Sequence, residues 1–136
     1  MSSDEEALWR EVADQLGFHD RRGHAWIDTL NRLWRKNRFV MSQDGVLKLD
    51  EPLPVLTADT LTVTHEHWPL HRLAPLVHPD AHDRARPKRD DRPILLLEWR
   101  RRHFLIDGLN RVNRRVRERL PGPHAVIVIH VGGRPR

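Results

Sequence analysis

Between residues 104 and 120 the chain reads FLIDGLNRVNRRVRERL, and the turn Asp107-Gly108-Leu109-Asn110-Arg111 holds the residue types that an anion site needs. Asp107 is a good helix N-cap, and Gly108 lets backbone come close to a ligand. Unpaired N–H groups and the helix dipole favour negative charge at that end. Arg111 adds a bidentate, charge-assisted donor and Asn110 a neutral one. Gly108, Leu109, Asn110 and Arg111 are therefore the candidate phosphate-binding residues. With Leu109 at the centre of the buried face, Arg111 lies about 200° round the helix. It starts on the solvent side and must curl over the helix end to reach a ligand. The plainer alternative is a capped turn followed by solvated arginines.

Other residues offer other chemistry. Glu98 and Asp107, at the two ends of a hairpin, form a candidate acid/base pair, although a turn-flanking charge and a cap account for them equally. His65 and His67 fall on one side of a strand with His71 four residues later, a candidate metal set that needs three or four converging ligands. Arg100, Arg101 and Arg102, with Arg114 and Arg115, are candidate nucleic-acid contacts. Cysteine is absent, which excludes a disulfide framework, a thiolate zinc site and a thiol nucleophile.

Charge is unevenly spread over the 136 residues, whose formal net charge is +5. Residues 1 to 20 carry six acids and one arginine, whereas residues 21 to 38 carry six Lys/Arg and one Asp. Residues 98 to 119 carry eight Arg against three acids. Two basic blocks on a nearly balanced remainder point to a polyanion, or to solvated helix faces. The acidic start MSSDEEALWR has no apolar leader, and no apolar run approaches a membrane span. The expectation is a cytoplasmic protein without membrane contact.

These residues must be positioned by a modest core. Ser3 to Glu6 read as a capping box, with Leu8, Trp9, Val12 and Leu16 on one helical face. A second helix is predicted over about 22–37, with Trp26, Ile27, Leu30, Leu33 and Trp34 on its apolar stripe. FVMSQDGVLKL then reads as a hairpin around Asp44-Gly45. This two-helix and hairpin unit spans 1–52, and Pro52 and Pro54 make a stiff connector. LTVT, 61–64, is a short strand, the Leu70 to Val77 segment one or two helical turns, and HPDAHDRARPKRDDR a charged loop. PILLLEW and HFLI form a second hairpin. Leu109, Val112, Val116 and Leu120 mark a helix face, and AVIVIHV is a closing strand. The fold class is α+β or α/β: a β-loop-β-β-α-β unit over 60–136 behind the N-terminal unit.

That order resembles the ParB/sulfiredoxin-like superfamily over about residues 60–131. Pro93-Ile94-Leu95-Leu96 matches the family's "PILV" strand, Phe104 to Gly108 its strand into the turn, Asn110-Arg111 its polar pair, and Val126 to Ile129 its closing strand. The resemblance implies a site for the phosphate of a nucleotide or other phosphorylated small molecule at the helix start, with magnesium a candidate companion. It also implies DNA association, phosphoryl transfer or nuclease chemistry as the activities to test. Sulfinic-acid repair is excluded by the missing cysteine. Two readings outside that site stand beside it: a non-catalytic basic regulator holding nucleic acid through its arginines, and a protein-interaction module of antitoxin or immunity type.

Overall fold

The computed structural model describes residues 3–16, 25–35, 39–42, 45–48, 53–76 and 92–132. The predicted loop through residue 91, Gly17, Pro52 and the basic residues Arg21, Arg22, Lys36 and Arg38 lie outside these, as do the side chains of Ser3, Trp26 and the 39–48 hairpin.

The described chain is a small α+β protein with a four-stranded mixed sheet. Its elements are helices α1 (Ser3–Gln15) and α2 (Ala25–Arg35), hairpin strands β1 (Phe39–Ser42) and β2 (Gly45–Lys48), then β3 (Leu61–Trp68) and α3 (Leu70–Leu73). After these come β4 (Ile94–Trp99), β5 (Arg102–Asp107), α4 (Leu109–Arg117) and β6 (His124–Val131). The sheet order is β3-β6-β4-β5. β6 is parallel to β4 and antiparallel to β3, and β4 is antiparallel to β5. In the first hairpin Ser42 pairs with Gly45, so Gly45 is the first strand residue rather than a turn residue.

Strand alternation divides the sheet into two faces. One face carries Leu61, Val63, Leu95, Leu97, Trp99, Phe104, Ile127 and Ile129, and it buries Val12 of α1 with Ile27, Leu30 and Trp34 of α2. Trp34 meets the Trp99 and Phe104 rings edge-on at 5.7 and 4.6 Å, and its indole N–H donates to the Pro54 carbonyl. Asn31 fixes the connector to α2: its amide donates to the Leu56 carbonyl and accepts the Leu56 N–H. The N-terminal helices and the sheet therefore share one core.

The opposite face buries Trp68, Leu73, Ile94, Leu96, Val112, Val126 and Val128 under α3 and α4. α4 is shorter than its apolar spacing predicts. Arg119 takes a left-handed φ of 52°. The N–H of Leu120 then returns to the Arg115 carbonyl and that of Arg119 to the Val116 carbonyl, which closes the helix as a Schellman motif. Leu109 and Leu120, expected on the buried face, are 42% and 39% exposed. β3 runs four residues further than the predicted LTVT strand, because His65 to Trp68 continue the pairing with β6 down to His124.

Candidate functional site

The turn into α4 differs from its predicted form in two ways. Gly108, not Asp107, is the N-cap, at φ 111°, and no side chain caps the helix. A Cβ there would stand 3.0 Å from Ile94 Cδ1 and 3.3 Å from Arg111 Cζ, so both the dihedral and the space require glycine. Arg111 is the second correction. It is 7% exposed and points inward. Its Nη1 donates to the carbonyls of Arg92 and Pro93 at 2.8 and 2.6 Å, and Nη2 donates to Gln15 Oε1 and Asp107 Oδ2 at 3.0 and 3.1 Å. Gln15 in turn donates to the Pro93 carbonyl. The guanidinium thus ties α1, the entry to β4 and the turn before α4 together, with its donors on protein acceptors. An anion at exposed Leu109 and Asn110 would meet the Asp107 carboxylate rather than a presented arginine.

The other arginines separate by position. Trp99 pairs with Arg102, leaving Arg100 and Arg101 as a two-residue hairpin loop with φ of 52° and 63°. Positive φ at both positions defines a type I′ turn, a site that favours Asn and Gly. All three arginines from 100 to 102 are exposed, and the Arg100 guanidinium lies 4.8 Å over the Trp99 ring. On α4, Arg114 pairs with Glu118 at 3.2 Å, and Arg115 is half-buried. Of the candidate nucleic-acid contacts, Arg114 and Arg115 are thus engaged or half-buried, whereas Arg100, Arg101 and Arg102 stand together and exposed at the hairpin tip.

Below that tip lies a polar relay that sequence reasoning missed except for Glu98. Glu98 Oε1 is 3.0 Å from His130 Nδ1 and Glu98 Oε2 is 3.3 Å from His103 Nε2. His130, 2% exposed, places Nε2 at 2.7 Å from Thr64 Oγ1. Thr64 donates to Glu66 Oε2 at 2.9 Å, and the Trp68 indole donates to Glu66 Oε1 at 3.1 Å. The His103 ring meets Trp68 edge-on at 4.6 Å, and the Arg72 guanidinium lies 3.7 Å over the same indole. Burial pushes the Glu66 carboxyl up, but the Trp68 and Thr64 hydrogen bonds and the nearby His130 and His103 outweigh it and hold Glu66 below the usual carboxylate range. Burial pushes the His103 imidazole down; Arg72 and His130 act the same way, Glu98 and Glu66 oppose them, and the net direction is down. Alternation along β3 (Thr64, Glu66, Trp68 on one side) was the available signal for half of this relay.

Glu98 and Asp107 do not come together as an acid/base pair: one belongs to the relay and the other to Arg111. His65 and His67 stack edge-on at 4.9 Å on an exposed stretch of β3, and His71 is exposed on α3. Among the described residues no group of three or more His, Asp or Glu is arranged to hold a metal ion. Nor is any described helix long and apolar enough to cross a membrane. Comparison with protein-family models, with curated proteins and with solved structures gave no match.

Proposed function

We propose that the chain is a polyanion-binding protein that grips phosphate groups, most simply those of a nucleic acid, through the arginine tip of the β4–β5 hairpin. One observation carries this reading. Two consecutive arginines occupy left-handed positions that cost each L-residue about 1–2 kcal/mol. Asn or Gly would fill the same positions at lower cost, so the turn forgoes stability for guanidinium groups at an exposed tip. Arg102 beside them and the basic 98–119 block add to the local field. On the sequence resemblance, we read the unit β3-α3-β4-β5-α4-β6, with Gly108 at its turn, as a ParB/sulfiredoxin-like scaffold. The phosphate seat, however, is better placed at the hairpin than at the α4 start, where Arg111 is already bound by the protein.

Fluorescence anisotropy with labelled single-stranded and duplex DNA and with RNA, over a salt series, tests the proposal. Binding should weaken steeply with salt, and Arg100→Asn/Arg101→Gly should reduce the salt slope by about 2. A double variant that binds like the parent sinks the hairpin reading. A nucleotide that raises the melting temperature of the parent but not of Gly108→Ala would return the site to the α4 turn.

A further inference from the structure

Glu98 and His103 are the pair immediately below the Trp99–Arg102 pair that closes the arginine turn. They are also one end of the chain Glu66–Thr64–His130–Glu98–His103, hydrogen-bonded as far as Glu98 and ending on His103 Nε2 at 3.3 Å from Glu98 Oε2, which crosses all four strands. Counting hydrogens makes this chain sensitive to protons. A carboxylate accepts only, so Nδ1 of His130 carries the hydrogen facing Glu98. Thr64 has one hydroxyl hydrogen. When it goes to Glu66, Nε2 of His130 must carry a second hydrogen for the Thr64–His130 bond to exist. With one hydrogen on the ring, Thr64 serves Glu66 or His130, not both.

We propose that this chain is a proton-operated device of the hairpin: proton uptake by His103, opposite Glu98 in the pair below the turn, adds positive charge at the base of the arginine tip and tightens polyanion contact. The inference rests on the hairpin being the polyanion site. The groups facing His103 are Glu98 from β4, Glu66 from β3, His130 from β6 and Arg72 from α3, the last acting across the Trp68 ring. Two of them are acids able to hold a gained proton, and Glu98 bridges both imidazoles, so a proton on one is felt by the other. Burial holds His103 neutral at neutral pH in the unliganded chain. A phosphate at the tip favours the charged ring, and the coupling is reciprocal: whatever raises proton affinity on binding raises affinity on protonation.

The test measures anisotropy of a labelled oligothymidylate at constant ionic strength between about pH 8 and about pH 5.5, spanning the imidazole range. Affinity of the parent should rise about threefold to tenfold as pH falls, more than the exposed histidines alone supply. His103→Asn should keep the affinity seen at high pH and lose most of the rise, while His65→Asn/His67→Asn keeps the rise. Full pH dependence in His103→Asn overturns the device. Failure of any DNA to bind at either pH removes the hairpin reading instead, and ring-nitrogen NMR of the free protein then decides the relay. A His103 titration that Glu98→Gln displaces supports it, and one indifferent to Glu98→Gln overturns it.

Discussion

The Arg111 guanidinium bonds the Asp107 carboxylate at 3.1 Å across one turn of helix, and this pair converts what reads as a ligand seat into an internal tie. Asp107 is taken from capping, Arg111 is turned from solvent, and Gly108 is left to start the helix by its dihedral alone. Replacing Arg111 should therefore act on stability first. Arg111→Ala leaves two backbone carbonyls, Gln15 and Asp107 without this donor, and a cost of about 2–4 kcal/mol in urea unfolding is expected. Arg111→Lys should rescue little, since an ammonium cannot span acceptors on three separate segments. Arg101→Ala, at the exposed tip, should stay within about 0.5 kcal/mol of the parent or be slightly stabilising.

Gly108→Ala is expected to cost about 1–3 kcal/mol, because a Cβ is strained at φ 111° and crowds Ile94 Cδ1 at 3.0 Å. Thermal unfolding of the free protein measures this. Gly132→Ala supplies the contrast. Its φ is 88°, but no atom lies within 4 Å of the added Cβ, so only the dihedral cost remains.

Trp34 joins α2 to the sheet by two edge-on ring contacts and one indole hydrogen bond. Trp34→Ala should cost about 3–5 kcal/mol, and Trp34→Phe less, by keeping a ring while losing the bond to Pro54. The same change reports whether α1 and α2 unfold with the sheet. A single transition seen by far-ultraviolet circular dichroism and by fluorescence is expected, since one core holds both.

These contrasts show which parts of the molecule the sequence carried. The continuous apolar runs of β4 and β6 and the stripe Ile27, Leu30, Trp34 are local patterns, and they fold as their periods require. The α4 face departs from its apolar spacing because Leu109 lies at the exposed first turn, while Arg111, Val112 and Asn113 are all buried. Periodicity weighs residue type, and it could not see the acceptors that Gln15, Arg92 and Pro93 offer from 96, 19 and 18 residues away. A register shift between Leu95 and Leu96 also re-aims Asp107. The relay was hidden for the same reason. Thr64, Glu98 and His130 are ordinary strand residues until the order β3-β6-β4 brings them together.

Stability should fall in two steps as pH decreases. His103 has a folded-state pKa below its ordinary 6.5. The unfolded chain therefore takes up that proton first, and stability is full above 6.5 and lost as pH falls from there to the folded-state value. Glu66 is also held below its ordinary 4.5, so its contribution is present above 4.5 and lost as pH falls through its folded-state value. Melting temperatures should be level above neutrality, decline below 6.5 and decline faster below 4.5. His103→Asn should flatten the first decline, and Glu66→Gln the second. A profile of His103→Asn parallel to that of the parent would show that His103 is not the group responsible.

The arginine turn gives a prediction with opposite signs in two measurements. Arg100 and Arg101 sit at φ of 52° and 63°, where Asn-Gly is the favoured pair. Arg100→Asn/Arg101→Gly should raise the unfolding free energy by about 1–2 kcal/mol through relief of left-handed strain. It gives up the guanidinium contact with Trp99, worth about 0.5–1 kcal/mol at an exposed site, so the net gain falls to about 0–1.5 kcal/mol. The same variant should lose affinity for DNA. A stabilised protein that binds less is the signature of a turn shaped by function. A destabilised one would instead mean that the arginines support the hairpin by contacts that outweigh the strain, and that the tip is structural.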